Sequence, residues 1–214
     1  MRALLITDLH GSRKAIEFLK KDHTKYEVIF CAGDLTNFGR PKDYVNYLAE
    51  TITNDFFWVS GNNDIGQGYQ YKRSNLKNID GAIFYYKSIK IAGLGGSSEN
   101  YESQNFGPSL DFKSDLSDSI LISHIPPSRK LNYQFKDIDC SVDNLTFSGK
   151  IKSAPKVHIC GHLHSKVGVA CIGRTKIIKV GAAKDGDYAE LNLENLGVTF
   201  KNFLPDMRNI NLEI

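Results

Sequence analysis

The chain has no long apolar run, no framework of cysteines and no block of like charge. None of its apolar stretches approaches the roughly 20 residues that a membrane-spanning helix needs, which argues against a transmembrane protein. The N-terminal MRALLITDLHG has one Arg and then a short apolar run, so we expect no secretion signal. The net charge of +3 is too small, and Lys and Arg too dispersed, to indicate nucleic-acid binding.

The four cysteines, Cys31, Cys140, Cys160 and Cys171, form neither a CxxC pair nor a regular framework spacing. Cys31 and Cys160 lie inside apolar runs, where a free cysteine behaves as a small buried hydrophobic residue. We therefore expect a reducing, cytoplasmic location.

The composition is that of a globular protein, with 41% hydrophobic and 24% charged residues. A length of 214 residues suits a single domain, and the sequence shows no repeat or low-complexity segment. We therefore expect one α/β domain that spans residues 1–214.

The first part of the chain alternates between apolar runs and amphipathic segments, which is typical of a βαβαβ arrangement. Ser12 is a candidate N-cap for a helix to about Lys21, and Pro41 is expected to open the next helix. The strands are predicted at Arg2–Thr7, Tyr26–Ala32 and Phe56–Ser60.

The second part favours a hairpin of Ala82–Lys87 and Ile89–Ala92, followed by a long polar loop over Gly93–Phe112. Two buried strands are then predicted at Ser119–Ser123 and Val157–Cys160, and antiparallel strands from Val167 onward. The pattern thus predicts two sheets, the first rich in parallel pairs and the second rich in antiparallel pairs.

Five short polar segments each follow an apolar, strand-like run: Asp-x-His, Gly-Asp, Gly-Asn-Asn-Asp, Ser-His and Gly-His-x-His. Strand ends of α/β folds are where metals and ligands collect. Nitrogen and oxygen ligands without thiolate suit Mn²⁺, Fe, Zn²⁺ or Ni²⁺ better than Ca²⁺ or Mg²⁺. The candidate ligands are Asp8, His10, Asp34, Asn62, His124, His162 and His164.

The spacing of these residues suits two neighbouring metal ions. If the Asp8–His10 segment is extended, both side chains point the same way, and His162 and His164 repeat this spacing. The carboxylate of Asp34 can bridge two cations. Two metals about 3.5–4 Å apart polarise a phosphoryl group and hold a hydroxide for in-line attack, so the pattern predicts phosphoester hydrolysis.

Taken alone, the first four segments are more typical of ordinary polar turns than of a metal site, whereas Gly-His-Leu-His is as typical of one as of the other. Their joint occurrence, each after an apolar run, favours the metal site. Four of the six histidines fall within these segments. For the other two, His23 and His158, we expect no role in the site.

These five motifs, in this order, resemble those of the calcineurin-like metallophosphoesterase superfamily over residues from Asp8 to His164. The resemblance implies a four-layer α/β/β/α sandwich of two mixed sheets flanked by helices, as in the compact prokaryotic-type phosphodiesterases and phosphatases of the superfamily. It also implies a dinuclear metal centre with Asp34 as the bridging ligand. One metal would be held by Asp8, His10, Asp34 and His164, and the other by Asp34, Asn62, His124 and His162.

The chain departs from the superfamily pattern at Asn63, where the motif G-N-H-D has a His that acts on the leaving group. Asn63 can donate a hydrogen bond but has no proton to deliver. The loss of a general acid costs about 10²–10⁴-fold for a poor leaving group and little for an acidic one. We expect Asp64 to keep a structural role and His10 to substitute in part as proton carrier.

Two other functions stay open. A non-catalytic metal-binding interaction module of the same fold is favoured by Asn63, although no predicted metal ligand is missing. A nuclease is disfavoured by the low charge. The expected partner is a small phosphoester, without membrane or nucleic acid, and the sequence says nothing about oligomeric state.

The motifs do not define the substrate pocket. Candidate recognition segments are Gly93–Phe112 and Ile125–Phe135, which includes Tyr133, and the candidate side chains are Tyr69, Tyr71, Arg40 and Arg129. Rim packing and solvated surface charge are the alternative roles for these residues.

Overall fold

The computed structural model describes residues 1–64, 75–96, 115–127, 153–164 and 167–204. These residues contain two α-helices, α1 (Arg13–Asp22) and α2 (Tyr44–Thr51), and short 3-10 helices at His23–Lys25 and Ala183–Asp185. The strands are β1 (Arg2–Ile6), β2 (Val28–Cys31), β3 (Asp55–Trp58), β4 (Leu76–Asn78), β5 (Ile83–Tyr86), β6 (Ile89–Leu94), β7 (Ile120–Ser123), β8 (Val157–Cys160), β9 (Gly168–Ile172), β10 (Thr175–Lys179), β11 (Asp187–Asn192) and β12 (Val198–Asn202).

The strands form two six-stranded mixed sheets, with the orders β12-β11-β1-β2-β3-β4 and β5-β6-β7-β8-β10-β9. Each sheet has three parallel and two antiparallel pairs among the described strands. The prediction of two mixed sheets in an α/β sandwich is confirmed. The prediction of an antiparallel-rich second sheet was wrong, because β6, β7, β8 and β10 lie parallel and β11 and β12 join the first sheet.

The core follows from the alternation of side chains along the strands. In β1, Leu4 and Ile6 face α1 and α2, whereas Ala3 and Leu5 face the second sheet. The helix α1 buries Ala15, Ile16, Phe18 and Leu19 on its inner side. Both described α-helices therefore cover the outer face of the first sheet, and a second apolar layer joins the two sheets.

The two helices begin differently from each other. The side chain of Ser12 accepts a hydrogen bond from Ala15 N, as expected for the N-cap of α1. Pro41 does not open α2. It lies in a preceding turn in which Tyr44 N donates to Pro41 O at 3.1 Å, so the helix begins at Tyr44.

Parallel strands place the five polar segments at one edge of the sandwich. The strands β1, β2 and β3 end just before the first three segments, and β7 and β8 end just before the last two. Because both sheets present their carboxyl ends here, the intervening turns meet between the sheets. Among the described helices, none combines the length and apolar character needed to cross a bilayer.

Candidate metal centre

Three of the five turns at the strand ends contain residues with strained backbone. Asp8, His10, Asp34 and His162 have φ of 52°, 47°, 53° and 73°, in the left-handed region where Asp and His occur more often than bulky residues. The Asp8–His10 segment is not extended, so the condition under which its two side chains would point the same way is not met. Its backbone instead turns across the second strand end, where Asp8 N donates to Gly33 O and His10 N to Asp34 O, each at 2.9 Å.

The first cluster contains Asp8, His10, Asp34 and His164. His10 Nε2 lies 3.1 Å from His164 Nε2 and 3.7 Å from both Asp8 Oδ1 and Asp34 Oδ2. His164 Nε2 lies 3.2 Å from Asp8 Oδ1. The ligand atoms of Asp8, His10 and His164 all lie within 4.8 Å of one another, close enough to share one cation.

The second cluster contains Asp34, Asn62, His124 and His162. His124 Nε2 lies 2.9 Å from Asn62 Oδ1, 3.2 Å from His162 Nδ1 and 3.5 Å from Asp34 Oδ2. His162 Nδ1 lies 3.0 Å from Asn62 Oδ1. The Oδ2 atom of Asp34 thus faces His10 in one cluster and His124 in the other.

These residues fit a pair of cations. Asp8 Oδ1 is buried and accepts no well-aligned hydrogen bond from the described residues, although the imidazole nitrogens of His164 and His10 lie 3.2 and 3.7 Å away, and this is a costly state for a carboxylate oxygen. Two imidazole nitrogens also face each other in each cluster, at 3.1 and 3.2 Å. A cation in each cluster would satisfy these atoms, and the donor set suits a borderline divalent metal.

In the first cluster, the carboxylate and the imidazoles stabilise each other's charged forms. Burial by itself would raise the pKa of Asp8, but the imidazoles of His10, His164 and His124 hold that pKa well below its usual range. The carboxylate of Asp8 in turn raises the pKa of His10. In the second cluster, burial and the nearby His124 lower the pKa of His162, which favours the neutral imidazole that binds metals.

Neighbouring groups fix the orientation of several candidate ligands. His124 Nδ1 lies 2.8 Å from Ala32 O, so it donates there and leaves Nε2 as the free acceptor facing the site. Thr7 Oγ1 donates to Asp8 Oδ2 at 2.8 Å, and His162 N donates to the same oxygen at 2.9 Å. Asp8 therefore offers its other oxygen, Oδ1, to the cluster.

Asn63 and Asp64 face different neighbours. Asn63 binds both oxygens of Asp34, with its backbone N at 2.8 Å from Oδ1 and its Nδ2 at 2.6 Å from Oδ2. Asp64 accepts from the backbone N of Gly61 and Thr36 at 2.9 Å and of Leu35 at 3.3 Å. These hydrogen bonds lower the pKa of Asp64, but burial has the larger effect and raises it overall. Asp64 thus ties two of the turns together, as expected of a structural residue.

The two histidines outside the motifs lie elsewhere. His23 packs behind α1, with Nδ1 2.8 Å from Leu19 O. His158 is buried within β8, with Nε2 2.7 Å from Ser123 Oγ, and burial lowers the pKa of His158 to about 3.

Arg40 is exposed, as expected of a solvated charge. Several recognition candidates fall outside the described residues: Tyr69, Tyr71, Arg129, Tyr133 and most of Gly93–Phe112 and Ile125–Phe135.

Three glycines of the motifs allow the turns to approach each other. A Cβ at Gly33 would lie 2.9 Å from His124 Nδ1, and a Cβ at Gly61 would lie 2.1 Å from Asp34 Oδ1. A Cβ at Gly161 would lie 2.0 Å from Thr7 Oγ1 and 2.8 Å from Asp8 Oδ2. Contacts this short force neighbouring atoms to move.

We expect Gly161→Ala to lower the free energy of unfolding by about 1–3 kcal/mol, because the new methyl group overpacks a filled site. It should also weaken metal binding, since Thr7 and Asp8 must shift. Denaturant unfolding and Mn²⁺ titration measure the two effects. Gly197→Ala is the matched control, because its Cβ would approach nothing closer than Asn195 Oδ1 at 3.0 Å. Equal effects in both variants would contradict the close approach at Gly161.

Lys179, at the end of β10, is a residue of the site that the motifs do not include. It is fully buried, and its Nζ donates to Leu163 O at 2.6 Å and to Val180 O at 3.0 Å. Burial lowers the pKa of Lys179. Leu163 lies between His162 and His164, so Lys179 holds the turn that carries both imidazoles. A Lys in the apolar run TKIIKV was the available sequence signal.

We expect Lys179→Met to weaken Mn²⁺ binding by about 10–100-fold, the usual effect of removing a group that orients metal ligands. The free energy of unfolding should change little, because the lost bonds are offset by the removal of a buried charge. Calorimetric Mn²⁺ titration measures the first effect. Lys176→Met is the control, since Lys176 on the same strand donates to Leu196 O at 2.7 Å, outside the two clusters. Unchanged Mn²⁺ affinity in Lys179→Met would show that the turn that carries His162 and His164 keeps its conformation without Lys179.

Comparison with known proteins places this site in a family. The chain belongs to the calcineurin-like phosphoesterase family, whose model matches residues 1–166. Members of this family depend on two metal ions, and the candidate ligands described above lie within the matched residues.

Individual proteins are similar to this chain in sequence or in fold. An uncharacterized protein of Methanocaldococcus jannaschii is 26% identical over 194 residues, which cover 83% of this chain and 87% of the relative. The crystal structure of TT1561 of Thermus thermophilus shares the fold, with a TM-score of 0.64 at 13% identity and coverage of 94% and 98%. A dimetal phosphatase from Danio rerio has a TM-score of 0.57 at 12% identity and coverage of 94% and 95%.

Proposed function

We propose that the protein is a metal-dependent phosphoesterase that prefers phosphodiesters. The observation that supports this most strongly is the pair of ligand clusters joined by Asp34, in which the buried Asp8 Oδ1 accepts no well-aligned hydrogen bond from the described residues. The preference for diesters rests on the resemblance to compact members of the family.

In this proposal, the first metal is held by Asp8, His10, Asp34 and His164, and the second by Asp34, Asn62, His124 and His162. When bound, two divalent ions polarise the phosphoryl group and supply an activated water nucleophile. We propose Mn²⁺ as the metal, since the nitrogen and oxygen donors suit it, as they also suit Fe, Zn²⁺ and Ni²⁺.

The surrounding residues position this ligand set. The backbone carbonyl of Ala32 keeps His124 in the tautomer that presents Nε2, and Thr7 turns Asp8 so that Oδ1 faces the cluster. Asn63 donates from backbone and side chain to Asp34, which fixes the plane of the shared carboxylate. No proton is available from Asn63 for the leaving group, so acidic leaving groups should react best.

The setting of the enzyme is also proposed. Cys31 and Cys160 are buried free thiols, which supports a reducing, cytoplasmic location. In the first sheet, β11 pairs with β1 and β12 pairs with β11, which supports a single domain. The proposed partner is a small phosphoester, with neither a membrane nor nucleic acid required.

The test is hydrolysis of bis(4-nitrophenyl) phosphate and of 4-nitrophenyl phosphate after chelation and reloading with Mn²⁺. We expect the diester to react faster than the monoester, and the chelated protein to be inactive. The two substrates share a leaving group, so their ratio isolates the diester preference. Faster reaction of the monoester would contradict the preference, and no reaction of either would contradict the phosphoesterase.

A non-catalytic metal-binding module remains the second candidate, and Asn63 is the residue that favours it. Stoichiometric Mn²⁺ binding without hydrolysis of either ester would support this alternative. Hydrolysis that depends on Mn²⁺ would exclude it.

A further inference from the structure

Phe38 is an exposed aromatic residue in a turn that disfavours it. Its side chain is 67% exposed, and its φ is 51°, where a bulky residue is an outlier. The next residue, Gly39, has φ of 73°, and Asn37 and Arg40 exchange backbone hydrogen bonds of 2.9 and 3.1 Å. This is the geometry of a type I′ turn, in which Asn-Gly is strongly preferred at the two central positions. The chain has Phe-Gly instead.

The turn of residues 37–40 is attached to the metal centre on two sides. On one side, Gly39 N donates to Asn63 O at 3.2 Å, and Thr36 Oγ1 donates to the same oxygen at 3.1 Å. On the other side, the segment that follows lies against Gly11, next to His10, because a Cβ on Gly11 would lie 3.1 Å from Arg40 O. Phe38 is therefore held at the rim of the site, between the turns that carry His10 and Asn63.

We infer that Phe38 is a specificity-determining residue that stacks on an aromatic ring of the substrate, an inference that rests on the proposed function. A backbone outlier held beside a site is a recognised sign of a functional constraint. Stacking on an exposed ring favours planar groups such as an aryl ester or a nucleobase over an alkyl group. The substrate class is thus a phosphoester that carries an aromatic ring.

Asn63 has no proton to deliver to a leaving group, and this agrees with the aryl esters of this substrate class. Aryl oxides are acidic leaving groups that need little protonation, whereas alkyl oxides need it most. The exposed aromatic residues of the described strand β5 lack this setting. Tyr85, for example, is 69% exposed on β5, and its strand neighbour Tyr86 donates to Glu27 O just before β2, at the opposite end of the sheet from the metal centre.

The test compares the affinities of ligands that differ by one ring, and it needs no turnover. With Mn²⁺ in excess, calorimetry measures phenylphosphonate against methylphosphonate, and adenosine 5′-monophosphate against ribose 5-phosphate. The first pair reports an aryl substrate and the second a nucleoside. The variants are Phe38→Asn, which removes the ring and installs the preferred Asn-Gly turn, Phe38→Trp, which keeps a ring, and Tyr85→Ala as the control.

We expect the wild-type protein to bind the ringed member of at least one pair about tenfold more tightly. Phe38→Asn should abolish this preference without lowering the midpoint of unfolding or the Mn²⁺ affinity. Phe38→Trp and Tyr85→Ala should retain it. If Phe38 acted only in the turn, Phe38→Asn would give the opposite pattern. The midpoint of unfolding would be lowered, and the preference for the ringed ligand would be unchanged.

Equal affinity within both pairs, including weak binding of all four ligands, would overturn the inference, as would a preference that persists in Phe38→Asn. These outcomes are distinct from failure of the proposed function. A ring preference that depends on Phe38 in a protein that hydrolyses no phosphoester would support the binding role and contradict the phosphoesterase.

Discussion

Asp34→Asn should lower the hydrolysis of an aryl phosphodiester by on the order of 10³-fold or more. The Oδ2 atom of Asp34 faces both His10 and His124, at 3.7 and 3.5 Å, so it belongs to both ligand clusters. An amide offers one neutral oxygen in place of a charged carboxylate. Its NH₂ group would also face a donor, either the backbone N or the Nδ2 of Asn63, which now bind the two carboxylate oxygens. Turnover and bound Mn²⁺ per chain should both fall.

Asp43→Asn is the matched control, because Asp43 is exposed at the start of α2 and makes no side-chain capping bond. It should leave turnover and metal content unchanged. If Asp34→Asn kept two Mn²⁺ ions and normal turnover, Asp34 would not be the shared ligand.

Asn63→His should increase the hydrolysis of alkyl phosphodiesters, by up to about 10²-fold, while aryl diesters change little. A His at this position can deliver a proton to the leaving oxygen, and only the poor alkyl leaving group needs it. The measurement is the dependence of turnover on the leaving-group pKa for a series of diesters. The slope of that dependence should become shallower in the variant.

Asn63→Ala separates proton delivery from the second effect of the change, which is loss of the bond between Asn63 Nδ2 and Asp34 Oδ2. The Ala variant loses that bond without gaining a proton donor, so it should not speed up alkyl diesters. An equal gain in both variants would mean that release of Asp34 is responsible. If Asn63→His left the dependence of turnover on the leaving-group pKa unchanged, position 63 would not be the place where a general acid is missing.

The site residues could be predicted from the sequence because local signals carry them. Each candidate ligand follows a short apolar run, and strand ends are fixed by such runs. The structure brings Asp8, Asp34, Asn62, His124 and the Gly161–His164 turn together as the motifs suggested. The backbone between Asp8 and His10 could not be predicted, because its left-handed φ values arise from bonds to Gly33 and Asp34, on a different strand end.

Contacts between distant segments explain the other differences. The short β4 has only three residues and forms by parallel pairing with β3, so it carries no alternating pattern of its own. The strand β11 looks like any antiparallel strand of the C-terminal part, yet it pairs with β1 across the whole chain. The run TKIIKV marks Lys179 as a Lys among apolar strand residues, but its bond to Leu163 O, which gives it a part in the site, depends on a distant segment.

In the proposed function, two metal ions held by the paired clusters carry the activity. The most direct measurement adds Mn²⁺ stepwise to the chelated protein and follows bis(4-nitrophenyl) phosphate hydrolysis together with the bound metal. Activity should continue to rise until two Mn²⁺ ions are bound per chain. Full activity with one bound ion, or no activity with two, would contradict the proposal that two metal ions carry the activity.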